Sequence, residues 1–271
     1  MSGLRLTVVD GGPCRLEKSK IVAFAPETVS IPTTIGIIEH PKHGLVLWDT
    51  GVNHVIADPE EGEKYWGPGI RDAFGAQGFT REHAIDKQLE KLGFKTDDVR
   101  YVVYSHLHLD HAGGMSYFPK AVHVVQRDEI RYAMWPDAWT RPVYCQNDFA
   151  NIRKIDVMEV DGDFDLFNDG ALRLLKTPGH TPGHQALLLN LPHRGQICLG
   201  ADVGHQRDGF ENMVPMPWDW STSAMSLTRM SNLRAAAFLY SSVTKLRTLL
   251  NYRRTGSSGT EAWIIRASVA P

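Results

Sequence analysis

Three imidazoles and a carboxylate fall within six positions of one segment, Ser105-His-Leu-His-Leu-Asp-His111, closed by Ala112-Gly-Gly114. Neutral imidazole nitrogens and carboxylate oxygens are the borderline donors that zinc, iron, manganese or cobalt accept. In an extended loop His106 and His108 point to one side while Asp110 and His111 reach a second point, which suits two cations about 3.5–4 Å apart. Crowding this many histidines without a cation would be unfavourable, because burial and like neighbours oppose their charging. Two further segments offer donors. Thr177-Pro-Gly-His-Thr-Pro-Gly-His184 carries two tight Pro-Gly turns, and either His180 or His184 can ligate while the other serves as a hydrogen-bond partner or turn residue. Gly200-Ala-Asp-Val-Gly-His205 presents Asp202 just past an apolar run.

The elements that must deliver these groups read as short strands with interspersed helices. Tyr101-Val-Val-Tyr104 is a buried strand running into the histidine segment. Leu4–Val9 alternates and then meets the turn cluster Asp10-Gly-Gly-Pro13. Ile35–Glu39 and Leu45–Trp48 flank Pro41-Lys-His-Gly44 as a hairpin, with Asp49-Thr-Gly51 ending its second strand. A loop from Val52 to Phe79 follows, long enough to cover a site or mediate a homodimer. Thr80 caps a helix with Ile85, Leu89 and Leu92 on its apolar stripe, stopped by Gly93. Later strands are expected at Val122–Val125, Leu172–Leu175, Ala186–Leu189 and Ile197–Leu199, and Met225–Leu250 has a helical pattern. Without repeats or low-complexity tracts, this is an α/β or α+β chain.

Composition excludes several classes of function. The 271 residues carry 31 acidic and 29 basic side chains, a net charge of -2, so nothing draws the chain generally to nucleic acid or anionic lipid. With 42% apolar residues it can bury a core, but no run approaches the roughly 20 residues of a membrane span. Met1–Asp10 lacks the basic start and long apolar stretch of a secretion signal. Cys14, Cys145 and Cys198 are odd in number and far apart, which suits a reducing cytoplasm better than a disulfide framework.

His106-x-His108-x-Asp110-His111, Thr177-Pro-Gly-His180 and Asp202, following Asp49-Thr-Gly51 in this order, resemble the metallo-β-lactamase superfamily over about residues 4 to 230. Within it the chain is most similar to the N-acyl-homoserine lactone lactonases, through the run from Ser105 to Gly114, the strand Val122–Val125 with Gln126-Arg127, and Thr177–Gln185. The resemblance implies a four-layer αββα sandwich with two divalent metal ions, zinc by preference, at one edge of its sheets. It gives His106, His108 and His180 to one ion, Asp110 and His111 to the other, Asp202 as the bridge, and His184 to support from behind. Two cations sharing a water lower its pKa to about 7 and yield a metal-bound hydroxide that opens a lactone ring. Asp110 then orients the nucleophile and carries its proton to the leaving alkoxide.

The sequence departs from its relatives at two places. They commonly place a tyrosine three residues after the bridging aspartate, where this chain has His205. An imidazole there can polarise the carbonyl or donate a proton, and should make activity more sensitive to pH between about 5.5 and 7.5 than a phenol would. Trp135, Trp139, Phe210, Met213, Met216, Trp218 and Trp220 are the candidates for an apolar wall that takes an acyl chain. The family pattern also closes with a further histidine in a Gly-His-Asp-like step, whereas no histidine follows His205 here. The segment Trp220–Pro271 has seven basic residues and one acidic, against 22 and 30 in the preceding 219. Residues 1–230 are therefore read as the hydrolase domain and 231–271 as an atypical tail. One codon choice for Tyr240–Lys245, read two bases later, encodes Phe-Phe-Gly-His-Glu, so a shifted frame is one explanation that the nucleotide sequence tests. The expected activity is opening of N-acyl-homoserine lactones. The alternatives are hydrolysis of other lactones, a thioesterase of the glyoxalase II type, or a relic with a defective metal site.

Overall fold

Strand β1 (Arg5–Glu17) pairs antiparallel with β2 (Thr28–His40), and β2 with β3 (Gly44–Trp48). The turn between β2 and β3 closes on Gly44, whose φ of 82° explains a glycine there. From β3 the sheet continues in parallel through β4 (Val99–Val103), β5 (Val122–Gln126) and β6 (Asp156–Val160). A second sheet holds β7 (Phe164–Asp165), β8 (Leu172–Lys176), β9 (Gln185–Leu191), β10 (Gly195–Ala201) and β11 (Ala237–Tyr240). Strand β12 (Arg253–Thr255) and β13 (Ala262–Ile265) return to the first sheet, with β13 beside β1. This computed structural model describes residues 3–20, 28–192, 195–205, 207–217, 219, 222–233, 237–240, 253–255 and 262–265.

Alternation along the strands sorts the side chains into layers. Leu6, Val8, Ile38, Val46, Trp48, Val103 and Val124 of the first sheet meet Leu172, Leu174, Leu187, Leu189, Ile197 and Leu199 of the second. The opposite face of the first sheet, with Val9, Ile35, Ile37, Leu47 and Val102, packs on Ile85 and Leu89 of a helix layer. The outer face of the second sheet, with Leu175, Ala186, Leu188 and Cys198, packs on Phe210, Leu227 and Met230. The result is the expected helix-sheet-sheet-helix sandwich, and strands buried on both faces explain why Tyr101–Tyr104 reads as an unbroken apolar run.

Three local expectations change. The stretch Val52–Phe79 is not a plain loop. Asp58 caps α1 (Pro59–Trp66), accepting from the amides of Glu60 and Glu61 at 2.9 Å, and α2 (Ile70–Ala73) follows. The helix expected from Thr80 begins with a single tight turn, Arg81–His83, before α3 (Ile85–Lys91), and Gly93 at φ 83° ends that segment. After α4 (Arg127–Met134) and α5 (Arg207–Glu211), α6 (Ser223–Ser231) covers only the first part of the Met225–Leu250 pattern. Residues 237–240 are extended and run parallel to β10, so pairing with a free sheet edge overrides helical propensity there. Among the described residues, no helix is long and apolar enough to cross a membrane.

Candidate metal centre

Strand ends from both sheets meet at one edge. β3 runs out into Asp49, β4 delivers Ser105 and the histidine segment, and β10 delivers Asp202. Asp49 (φ 58°) and Ala201 (φ 45°) both sit in the left-handed region that side chains disfavour, backbone strain of the kind that collects at functional sites.

His106, His108, His111, His180, Asp202 and His205 are all buried, and Asp110 keeps a fifth of its side chain exposed. Their donor atoms converge. His108 Nδ1 lies 3.0 Å from His106 Nε2 and 3.1 Å from His180 Nε2. His111 Nε2 lies 3.4 Å from Asp202 Oδ2 and 3.6 Å from Asp110 Oδ2. The six residues expected as ligands are therefore one neighbourhood. Three overlapping groups in it could each hold a cation: His106 with His108 and His180, His106 with His111 and Asp202, and His180 with Asp202 and His205.

Partners behind the rings fix which nitrogen faces the centre. The Asp49 carboxylate accepts from the Ser105 amide at 2.7 Å, the Ser105 hydroxyl at 2.8 Å and His111 Nδ1 at 2.9 Å. Because Ser105 gives its hydrogen to Asp49, its oxygen accepts from His106 Nδ1 at 2.9 Å. Asp219 Oδ1 accepts from His180 Nδ1 at 3.2 Å and is itself held by the Met216 amide and the Ser223 hydroxyl. The Nε2 atoms of His106, His111 and His180 thus point lone pairs inward. Two of these lone pairs aim at His108 Nδ1, whose single hydrogen can serve only one of them. Such a set fits divalent cations.

The electrostatics point the same way. Burial, reinforced by neighbouring imidazoles, holds His106 and His108 well below the usual histidine range, so they stay neutral and ready to ligate. Burial also works against charge on His111, but Asp110, Asp202 and Asp49 outweigh it and draw positive charge there. His184 is buried at 5.3 Å from the His106 ring and bonded through Nδ1 to Thr177 Oγ1 at 2.8 Å. Burial and His180 push it down to about 3.

Glu129 of α4 was not anticipated. Fully buried, its carboxylate accepts from the Leu107 amide at 2.9 Å, Tyr144 Oη at 2.9 Å, Thr181 Oγ1 at 2.6 Å and the Gly183 amide at 3.2 Å. It ties the segment carrying His106 and His108 to the turn carrying His180. A Cβ at Gly183 would fall 2.2 Å from the Glu129 amide nitrogen, so only glycine permits this approach. A charge on the buried stripe of a helix, with Ala133 four residues on, was the available sequence signal.

A cavity of about 350 Å³ opens onto the centre. Of the proposed wall, Trp139 and Met216 line it, while Trp135 is 86% exposed and lies elsewhere. Phe210 and Met213 pack behind the second sheet instead, because α5 turns its apolar side to Leu227 and Met230. Trp218 and Trp220 lie outside the described residues. The rest of the wall includes Cys14, Leu16 and Ile31 of the β1–β2 pair, Phe74 at the end of α2, and Val143 of the turn Arg141–Val143.

The sequence profile of the metallo-beta-lactamase superfamily matches residues 31–242. The chain belongs to this superfamily. It is 32% identical to the N-acyl homoserine lactonase AttM of Azorhizobium caulinodans over 242 residues, 88% of this chain and 90% of that protein. It is 28% identical to the N-acyl homoserine lactonase AiiA of Bacillus thuringiensis subsp. kurstaki, over 86% of this chain and 89% of the relative. In structure it superimposes with a TM-score of 0.71 on an N-acyl homoserine lactone hydrolase holding the product N-hexanoyl-L-homoserine at its catalytic metal centre, at 27% identity over 85% of this chain and 88% of the other. The four-layer sandwich is thus that of the metallo-beta-lactamase superfamily, and its histidine-aspartate edge groups residues that could hold a divalent metal.

Proposed function

We propose that the protein is a metal-dependent hydrolase that opens the lactone ring of N-acyl-homoserine lactones. The observation that carries this reading is the junction of the histidine-aspartate centre with an apolar cavity whose described lining holds no lysine or arginine. An uncharged lactone with an acyl tail suits such a cavity. The carboxylates of a glutathione thioester would find no cation there, which disfavours a glyoxalase II-like activity. The curated relatives named as N-acyl homoserine lactonases support the same substrate class.

In this proposal His106, His108 and His180 would hold one zinc ion and Asp110 and His111 the other, with Asp202 within reach of both sets. Bound there, the ions supply a water acidified to near neutrality and polarisation of the ester carbonyl. The chain does the rest. Asp110, at the edge of the cavity beside His111, can take the proton of the attacking water and pass it to the leaving alkoxide. Ile31, Phe74, Val143 and Met216 hold the acyl tail and keep bulk water from the reacting carbonyl. The three cysteines are free and buried, which supports a reducing, cytoplasmic setting.

A proton-release assay tests the proposal. Ring opening of an N-acyl-homoserine lactone is expected to proceed with zinc, to stop after chelation and to return on zinc addition, with little turnover of S-lactoylglutathione. Equal or greater turnover of the thioester would overturn the substrate assignment.

A further inference from the structure

Asp202 Oδ2 is the atom on which the centre converges. Four ring nitrogens face it: His205 Nε2 at 2.9 Å, His111 Nε2 and His180 Nε2 at 3.4 Å each, and His106 Nε2 at 3.8 Å. We infer that His205 is itself a metal ligand, sharing a cation with Asp202 and His180. The inference rests on the metal-centre reading above and assigns His205 a role different from that of a proton donor to the substrate.

The separations carry it. Donors bound tetrahedrally to one zinc at about 2.0–2.2 Å lie about 3.3–3.6 Å apart, and donors at right angles in a five-coordinate shell about 3.0 Å apart. The distance from His180 Nε2 to Asp202 Oδ2 matches the first figure and that from His205 Nε2 to the same oxygen matches the second. Donor atoms of the three residues lie within 4.8 Å of one another, and the His205 ring stands 5.1 Å from that of His180. The imidazole is also buried, so it faces the centre and not bulk solvent.

The centre is then lopsided. Beside the group of His106, His108 and His180, the shared His180 and Asp202 gain His205 as a third donor, while Asp110 and His111 gain no such addition among the described residues. One zinc is held tightly and its neighbour exchanges readily. The Nε2 lone pair of His205 is then committed to the cation and cannot also serve the substrate as an acid.

Zinc titration of the metal-free protein against a chromophoric chelator tests this without any turnover measurement. The wild type is expected to take up two zinc ions with unequal affinities. His205→Phe is expected to weaken the tighter step by at least about tenfold, since even outer partners of metal ligands typically contribute 10–100-fold. His205→Cys, which supplies a thiolate donor, is expected to recover most of that loss. His205→Asn is titrated alongside, and circular dichroism of each metal-free variant confirms folding, so a misfolded phenylalanine variant leaves the comparison intact. A tighter step that stays within about twofold of wild type in both His205→Phe and His205→Asn overturns the inference, because a ligand cannot be so dispensable. A loss that cysteine does not reverse overturns it too, by showing packing in place of ligation. No zinc uptake by the wild type would instead sink the metal-centre reading on which it rests.

Discussion

His40 and His111 are both buried imidazoles beside a carboxylate, yet they use their ring nitrogens in opposite order. In the β2–β3 turn, His40 Nδ1 accepts the backbone amides of Lys42 and His43 at 3.2 Å each. Amides can only donate, so the ring hydrogen must sit on Nε2, which faces Asp169 Oδ2 at 3.2 Å. At the metal centre, His111 spends its hydrogen behind itself, on Asp49, and turns a lone pair toward Asp110 and Asp202. His43 joins the first cluster, stacking on Phe167 at 4.0 Å, so by proximity alone His40, His43 and Asp169 also form a metal-like triad. Residue types and distances do not distinguish the two clusters. What separates them is what stands behind each ring: amides in one case, carboxylates in the other. The first arrangement stiffens a turn that packs one sheet against the other, and the second exports lone pairs to a shared point.

The sharpest way to break this contrast is to remove the shared oxygen. Asp202→Ala should lose lactone opening by more than about 100-fold, beyond the loss typical of an outer partner, together with bound zinc measured by elemental analysis. Next comes the clamp behind the ligands. Glu129→Ala leaves four buried donors without their carboxylate and should destabilise the protein by about 3 kcal/mol or more in denaturant melts. Its zinc affinity should also fall about 10–100-fold; an affinity equal to wild type would show that the clamp does not position the ligands. His40→Ala should cost about 1–2 kcal/mol of stability while zinc content stays the same. Loss of one zinc equivalent there would erase the distinction drawn between the clusters.

The smallest effect concerns a buried carboxyl with no cationic partner among the described residues. Asp148 accepts from Tyr65 Oη at 3.0 Å and from Asn53 Nδ2 at 3.5 Å, and burial pushes it up to about 7. The folded state therefore keeps a proton that the unfolded chain has released, and stability drains away as pH rises from about 4 to 7. Asp148→Asn should raise the melting temperature more at pH 8 than at pH 5, and an equal change at both would refute the ionisation argument.

How much of this was written in the sequence depends on how far apart the partners lie. His106, His108, Asp110 and His111 occupy one six-residue window, and the apolar run before them announces the strand that presents them. His180 and Asp202 became legible only in company with that window. Glu129, Asp49 and Asp219 reach the ligands through tertiary approach across 20 residues or more of chain, and nothing local to them distinguishes a carboxylate behind a histidine from one in water. The cavity wall was legible only in part, at Trp139 and Met216, for a related reason. Aromatic residues near prolines were expected to line it, but Trp135 stands in solvent and Phe210 packs behind the second sheet. Residues of the β1–β2 pair, whose alternation looked like that of any strand, form much of the wall instead.

The candidate ligands are shared between the two sheets: His106 and His111 hang from the end of β4, whereas His180 and Asp202 hang from β8 and β10. The interlayer packing of Leu6, Val103, Leu174, Leu187 and Leu199 therefore sets the gap of a caliper whose jaws are those strand ends. A methyl-sized void between the layers would cost about 1 kcal/mol, too little to unfold the molecule, while loosening the spacing of those strand ends. Evolutionary drift in the greasy interior would then register first as a change in metal loading, long before it registered as a change in shape.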